Sequence, residues 1–319
     1  MKSKMIKILK FKKKKIKKKI SFNNFLKILL IFLFSLSTFL LGILYEKIVS
    51  SSRSSEEFEV SQKVGSKELA SIQNKVIKEN YVFKIKWGDL GKRMVEDGVI
   101  DKTKLAQAVS GSDNLPKDLD KYFSDEQNKI EVNQKNAQFW VDVLWGLGLA
   151  NKNKILEEGS MTADGDASNF ASTGGWTLGI GEPMSHYSGH SYIILSDKEQ
   201  KIVEEIAGNI YRPCCDNPTL FPDCNHGMAA LGLIELMVSQ GISIDEIYKT
   251  VLAFNTYWFP ETYLNTAYYF KSINRDYSKA TPKEILSKTY SSGTGAGNIQ
   301  REVGAIQWFD SGSGGSCGA

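Results

Sequence analysis

Apolar side chains recur at helical spacing along most of the chain after residue 64. The segment 67–81 carries them at a three- or four-residue period: Leu69, Ile72 and Val76. That period is typical of an amphipathic helix. The segment 136–149 is apolar on nearly every side, as expected of a helix buried in a core. We therefore expect a helical scaffold over residues 64–158.

The segment 87–111 predicts two short helices separated near Gly98. Asp101 precedes the second helix and has the side chain of an N-cap residue, which accepts hydrogen bonds from free backbone amides. Leu105 and Val109 are spaced to lie on the inner face of that helix.

A second group of helices is predicted after residue 222. Asp223 is placed to cap a helix over 224–240, and Gly241 is suited to end it because glycine tolerates a left-handed conformation. Ser243 and Glu246 then form the Ser-x-x-Glu pattern of a capping box, which starts the next helix. The short connection predicts an antiparallel helical hairpin.

Further helices are expected from Pro260 and near residues 299–308. Between the two groups, the segment 159–189 is rich in glycine and serine and has no helical period, yet it contains Trp176. Loops of this length inside a compact domain are usually functional or disordered, and the tryptophan and the two histidines favour an ordered loop here. The expected fold is mainly α, with an N-terminal transmembrane helix and a helical ectodomain that contains a long ordered Gly/Ser-rich loop.

The N-terminal residues predict membrane insertion. The first 24 residues contain eleven lysines and no acid, and residues 28–45 carry no charge. An uncharged run of this length can cross a bilayer, and lysines before it favour a cytoplasmic N-terminus. No small-x-small site follows, which favours an uncleaved signal anchor at residues 25–45. The predicted organisation begins with a basic cytoplasmic segment (1–24), an anchor (25–45) and a stalk (46–63). A helical scaffold (64–158), a site domain (159–310) and a flexible tail (311–319) follow.

The charge balance differs on the two sides of the predicted anchor. Residues 1–45 hold 12 of the 40 basic residues and no acid, so the remainder has 28 basic against 36 acidic residues, a net charge of −8. An acidic ectodomain argues against a nucleic-acid partner. The expected partner is the cell membrane, crossed once, with the C-terminal domain extracytoplasmic.

The chain has only seven cysteines and histidines, and all but the last lie between residues 186 and 226: His186, His190, Cys214, Cys215, Cys224, His226 and Cys317. These residue types are the usual ligands of soft and borderline metals. A set with no member elsewhere in the sequence predicts one shared metal site. Copper is the first expectation, because methionine, histidine and cysteine occur together, and zinc is the second.

The cysteine positions leave a redox alternative open. Cys224 lies at a predicted helix start, where the helix dipole favours a thiolate. Cys214 and Cys215 are adjacent and cannot easily bond to each other, whereas a disulfide between Cys214 and Cys224 is possible. Cys317 lies on a Gly/Ser-rich arm that could reach a distant site.

The run Ile210-Tyr-Arg-Pro-Cys-Cys-Asp-Asn-Pro, followed by Cys224, an apolar helix, Gly241 and a Ser-x-x-Glu-Ile start, is similar to two extracytoplasmic groups. One is the cytochrome-c-maturation thiol oxidoreductases, and the other is the lipoproteins with a Pro-Cys-Tyr-Cys-Gly-Cys motif. The resemblance covers residues 210–250 and implies a thiol site on a helical hairpin. It departs from both patterns because the first two cysteines are adjacent.

The sequence thus predicts a membrane-anchored extracytoplasmic protein that binds copper or zinc for metal handling. A thiol–disulfide oxidoreductase of the envelope is the first alternative, and an envelope scaffold with a structural disulfide or metal is the second. No G-x-S-x-G elbow indicates a hydrolase, and no C-x-x-C-H indicates a c-type haem. Whether the protein is an enzyme is left open by the sequence.

Overall fold

The computed structural model describes residues 37–38, 40–47, 65–163 and 165–309. The chain divides into two compact units, residues 1–59 and 60–319. In the first unit the described residues are helical. Across everything described, no helix combines the length and the apolar character that a bilayer crossing requires. The predicted anchor and stalk lie largely outside the described residues, as does the tail from residue 310 onwards.

The second unit is mainly helical. Its elements up to residue 163 are α1 Ser66–Val76, β1 Tyr81–Phe83, α2 Leu90–Glu96, α3 Lys102–Ser110, α4 Lys117–Ser124, β2 Ile130–Val132, α5 Ala137–Ala150, α6 Lys154–Glu157 and α7 Ser160–Ala163. The two strands pair antiparallel, with Val82 opposite Glu131. The elements from residue 165 onwards are α8 Asp197–Gly208, α9 Asn225–Ser239, α10 Ile244–Trp258, α11 Pro260–Ser272, α12 Pro282–Ile285, α13 Lys288–Ser291 and α14 Gly293–Val303, with short 3₁₀ turns at Ala167–Asn169, Pro183–Ser185 and Tyr277–Lys279.

Helices α5 and α9 form the centre of the second unit and make its most extensive helix–helix contact. Nearly every residue of both is buried, which is why their sequences are apolar on all sides. Their backbones touch at two glycines. A Cβ atom on Gly148 would lie 2.1 Å from the Met228 carbonyl oxygen, and one on Gly232 would lie 2.7 Å from the Gly148 nitrogen.

A second, smaller core joins the two ends of this unit. It is formed by α1, α11 and α14, and it contains Leu69, Ile72 and Val76 from α1 together with Tyr263, Leu264 and Ile299. The predicted apolar face of α1 is therefore confirmed.

The Gly/Ser-rich loop 159–189 runs over the end of α5. Trp176 is 2% exposed, donates its indole N–H to the Val99 carbonyl at 3.0 Å, and packs edge-on against Trp145. Before the loop, the chain is anchored to α9 through the buried Glu235, whose carboxylate accepts from the side-chain amides of Asn151 and Asn153 at 2.7 and 2.6 Å. Buried side chains thus hold both the loop and the segment that precedes it.

Several local predictions are confirmed. Asp101 caps α3 through the amides of Thr103 and Lys104, Gly241 has a left-handed backbone after α9, and Ser243 accepts from the Glu246 amide at the start of α10. A helix also starts at Pro260 as expected.

Two local predictions are wrong. The N-cap of α9 is Cys224 and not Asp223, because Asp223 is engaged by Arg212 instead. The last helix covers Gly293–Val303 rather than 299–308, because Ser292 caps it six residues earlier. Helix α8, which begins with a full Ser196–Glu199 capping box, was not predicted, and neither were the two strands.

The buried carboxyl of Asp142 should make the free energy of unfolding depend on pH. Its carboxyl is 1% exposed within α5, and burial raises its pKa to about 7 despite a hydrogen bond from Gln138. A carboxyl whose pKa is higher in the folded state than in the unfolded state binds more protons when folded. We expect its contribution to the free energy of unfolding to fall as pH rises from about 4 to about 7 and to level off above that.

The variant Asp142→Asn, which stays neutral, should therefore melt higher than the parent at alkaline pH and nearly level with it at pH 4. Thermal unfolding across this pH range measures the difference. Asp125→Asn, at an exposed carboxylate, is the matched control. Equal melting temperatures for Asp142→Asn and parent at alkaline pH would show that Asp142 is not buried as described.

Candidate functional site

Three of the predicted site residues lie in or at the end of the connection between α8 and α9. Cys214 and Cys215 follow Pro213, and Cys224 is the N-cap of α9. The Cys224 sulfur accepts the Gly227 backbone N–H at 3.4 Å. This position gives the sulfur the favourable end of the helix dipole, which stabilises negative charge.

The three sulfur atoms converge. The Sγ atoms of Cys214, Cys215 and Cys224 all lie within 4.8 Å of one another, and each of the three residues is partly exposed. The Cys214 and Cys224 sulfurs are 3.3 Å apart. The Cys215 sulfur is 3.7 Å from Oδ1 of Asp223. The cluster is close enough to bind a metal ion or to form a disulfide.

A buried arginine supports the three thiols. The Arg212 side chain is 1% exposed, and its Nε–H donates to the Cys224 sulfur at 3.1 Å. Its terminal nitrogens donate to the Asp223 carboxylate at 2.8 Å and to the carbonyl oxygens of Asn217 and Phe221. A planar guanidinium satisfied on every side is a fixed positive charge beside the sulfur atoms.

The arginine needs a glycine next to it. A Cβ atom on Gly227 would lie 2.3 Å from a terminal nitrogen of Arg212. Because this guanidinium is held by four partners, it has no room to move away. Position 227 in the first turn of α9 therefore requires glycine, because the Arg212 guanidinium lies directly against the backbone there.

The cysteine loop is tied to the start of α14. The Gly293 amide donates to the Cys215 carbonyl at 2.8 Å, and Thr294 donates through both its amide and its hydroxyl to Asp216 at 2.7 Å. Asn217 donates to the second oxygen of Asp223 at 2.8 Å. These bonds fix the chain at Cys215 and at the two residues that follow it.

The electrostatics divide the thiols into two kinds. Hydrogen bonds from Cys214 and Cys215, with the charge and hydrogen bond of Arg212, hold the pKa of Cys224 well below its usual range despite burial. The hydrogen bond with Cys214 lowers the pKa of Cys215, but its hydrogen bond with Cys224 and its burial raise that pKa to about 11. Burial alone would lower the pKa of Arg212, but the cysteine charges raise it, so Arg212 stays charged. These directions favour the thiolate form at Cys224 and the protonated thiol at Cys215.

The predicted histidines are not members of the three-thiol group. His186 and His190 contact each other, with Nδ1 of His186 and Nε2 of His190 at 3.3 Å, and His190 lies near Asp97. His226 lies in the first turn of α9, fully buried against the rings of Trp258 and Phe259. Neither ring nitrogen of His226 has a hydrogen-bond partner. Cys317 lies outside the described residues.

The sequence reasoning missed Arg212, although a signal was present. The chain has five arginines against 35 lysines, and one of them stands directly before Pro-Cys-Cys. Arginine is the residue of choice for a buried, multiply bonded cation. The roles of Asp223 and Gly227 follow from the position of Arg212 and have no independent signal in the sequence.

The fold and the site define a mainly helical protein with a three-cysteine cluster braced by a buried arginine. Comparison of the chain with protein-family models, with curated proteins and with solved structures finds no match.

Proposed function

We propose that the protein binds a soft transition metal, copper(I) first and zinc second, through Cys214, Cys215 and Cys224. The observation that carries this proposal is the convergence of three sulfur atoms within 4.8 Å of one another. Thiolates around one ion, at a metal–sulfur distance near 2.3 Å, are separated by roughly 3.8–4.0 Å, so the cluster needs only small side-chain movements to reach that arrangement.

The charges of the site support a soft metal. Three thiolates around copper(I) carry a net charge of −2, and Arg212 offsets part of it at 3.1 Å from the Cys224 sulfur. Soft sulfur ligands select copper(I), whereas structural zinc usually takes four protein ligands. The group found among the described residues has three, which favours copper(I).

Partial exposure of the three cysteines fits metal handling better than permanent storage, because a partner's ligands can reach them. We further propose that this occurs outside the cytoplasm, on a protein anchored by residues 25–45. The lysine-rich start, the uncharged run and the acidic remainder of the sequence support that location.

Metal titration of the full chain tests the proposal. Under anaerobic conditions, copper(I) in competition with a chelator should bind at about one equivalent, and the double variant Cys214→Ser/Cys215→Ser should lose it, because hydroxyls are poor ligands for a soft ion. The companion control is Cys317→Ser, which removes the fourth thiol of the chain and tests whether the tail contributes a ligand. Full retention in this control limits the site to three cysteines, and weaker retention adds the tail to it. Unchanged metal content in the double variant would overturn the proposal.

The 3.3 Å separation of the Cys214 and Cys224 sulfurs favours thiol–disulfide exchange as the second candidate function. The Cys224 thiolate would attack a substrate disulfide, releasing one substrate thiolate and forming a mixed disulfide. Cys214 would then attack the Cys224 sulfur and release the second substrate thiolate, so the substrate gains two electrons and the protein pair becomes a disulfide. Loss of two protein thiols per substrate disulfide, counted without metal, distinguishes this function from metal binding.

A further inference from the structure

Cys224 differs from Cys215 in the groups that surround its sulfur atom. The Nε–H of Arg212 donates to the Cys224 sulfur at 3.1 Å, and the Gly227 backbone N–H donates to it at 3.4 Å. The Cys215 sulfur instead lies 3.7 Å from a carboxylate oxygen of Asp223, which accepts hydrogen bonds and does not donate them. Negative charge is therefore stabilised at Cys224 and disfavoured at Cys215.

The surroundings of Cys224 are those of an oxidisable cysteine. Reactive cysteines lie in electropositive, partly exposed environments, and the thiolate is the form that oxidants attack most readily. Arg212 supplies the positive charge from a side chain that is 1% exposed, so dissolved salt screens it weakly. Cys224 itself is partly exposed, so a small molecule has access to it.

The charges of the cysteine loop favour an uncharged oxidant. Asp216 and Asp223 belong to the same loop as the adjacent cysteines, and Asp216 is exposed. Both carboxylates repel anionic substrates. Hydrogen peroxide is uncharged and smaller than any organic disulfide. It also needs no alignment with a second protein surface, whereas a protein disulfide must bring one of its sulfurs into line with the attacking thiolate.

Cys214 is placed to complete the reaction. Its sulfur is 3.3 Å from that of Cys224, and its S–H is the donor in this contact when Cys224 is the thiolate. A proton therefore lies beside the position from which a hydroxide ion would leave. The two sulfurs need to approach by only about 1.3 Å to form a disulfide bond.

We propose that the cluster reacts with small hydroperoxides, with Cys224 as the attacking thiolate and Cys214 as the resolving thiol. An S–O bond forms at Cys224 while the O–O bond breaks, which gives a sulfenic acid and hydroxide. The hydroxide takes the Cys214 proton and becomes water. The Cys214 thiolate then attacks the Cys224 sulfur, so an S–S bond forms, the S–O bond breaks and a second hydroxide leaves.

The reaction transfers one electron pair from the two sulfurs to the peroxide. It consumes one peroxide per chain and two thiols, and it requires no metal. The inference therefore goes beyond metal binding and beyond exchange with disulfides. Copper(I) titration and peroxide consumption are separate measurements on the protein, so either activity can fail without the other.

Hydrogen peroxide added to the reduced, metal-free full chain tests the reaction. One equivalent should be consumed with the loss of two thiols. Proteolysis at Asp216 and Asp223 separates Cys224 from the adjacent cysteines, and mass spectrometry should then find a disulfide between Cys214 and Cys224. Retention of all thiols under equimolar peroxide, or a disulfide that excludes Cys224, would overturn the proposal.

The variant Cys214→Ser tests the order of the two steps. Its reaction should stop at the sulfenic acid, and the sulfenic-acid reagent dimedone should label Cys224 about tenfold more than Cys215, because oxidation follows thiolate character. The neighbouring Cys215 is thus an internal reference in the same protein. Equal labelling of these two cysteines, or a disulfide that still forms with Cys224, would contradict the assigned roles.

Arg212 is the positioning residue of the reaction. Arg212→Met should slow peroxide consumption about tenfold and make the dimedone labelling of Cys224 and Cys215 similar, since the positive charge beside Cys224 is lost. The control Arg275→Met, which changes an exposed arginine paired with Glu284, should react at the parental rate. A parental rate and labelling preference in Arg212→Met would remove the arginine from the reaction. If that variant fails to fold, the labelling of Cys214→Ser still decides whether Cys224 is the reactive cysteine.

Discussion

Replacing Arg212 with methionine is expected to lower the free energy of unfolding by about 3–5 kcal/mol, the usual effect of removing one partner of a buried ion pair. The Arg212 side chain is 1% exposed. Its loss leaves the Asp223 carboxylate and the Cys224 thiolate without their cation, and it removes the donors to the Asn217 and Phe221 carbonyls. Denaturant unfolding of the full chain at neutral pH measures this change.

The same variant should raise the pKa of Cys224. Arg212 contributes to holding that pKa below its usual range, so the pH midpoint of Cys224 alkylation, followed by peptide mass spectrometry, should move upward in Arg212→Met. Because the pKa is depressed in the folded state, the Cys224 thiolate stabilises the fold at pH values above the unfolded pKa. This contribution is lost as pH falls through the folded value.

Two matched variants isolate the cause. Arg275 is an exposed arginine paired with Glu284 at 2.9 Å, and exposed pairs contribute about 0–1 kcal/mol, so Arg275→Met should be nearly neutral. Arg212→Lys keeps the charge but loses the planar fork, so it should retain more of the low Cys224 pKa than Arg212→Met does. An Arg212→Met protein with parental stability and parental alkylation would show that the guanidinium does not support the thiols.

Gly148→Ala is expected to destabilise the fold by about 3 kcal/mol, at the upper end of the usual range for overpacking a core. The added Cβ would lie 2.1 Å from the Met228 carbonyl oxygen and 3.0 Å from the Gly232 nitrogen. Both are backbone atoms of α9, so the clash is relieved only if the two central helices separate. Chemical denaturation of the full chain measures the loss.

The control is a helical glycine with space around it. A Cβ atom on Gly297 in α14 would meet only a terminal nitrogen of Arg301, at 3.7 Å. Gly297→Ala should therefore stabilise the protein by up to about 1 kcal/mol, the helix preference of alanine over glycine. If Gly148→Ala were as stable as Gly297→Ala, the backbones of α5 and α9 would not touch as described.

The thiol site depends on this central packing. Cys224 caps α9, and the first turn of α9 accommodates Arg212 at Gly227. A shift of α9 that relieves a clash at Gly148 would also move Cys224 relative to Cys214. We therefore expect metal retention and stability to fall together in Gly148→Ala and to stay parental in Gly297→Ala.

The sequence by itself determined the local elements. Helices α1 and α3 follow from apolar periodicity, α5 follows from its continuous apolar run, and α9 and α10 follow from the signals at their ends. The caps at Asp101 and Ser243 follow from the need of terminal amides for acceptors. Convergence of the cysteines was also predictable in part, because only nine residues separate Cys214 from Cys224 and limit how far apart the two can lie.

The tertiary structure decided which side chains meet. Arg212 reaches the sulfur atoms only because α9 has no side chain at Gly227, and His190 meets Asp97 only because the loop after residue 159 folds over the end of α5. Asp97 and His190 are 93 residues apart in the sequence. Such a contact is set by how the helices pack. Hydrophobic burial drives that packing, and it does not depend on which polar groups are brought together.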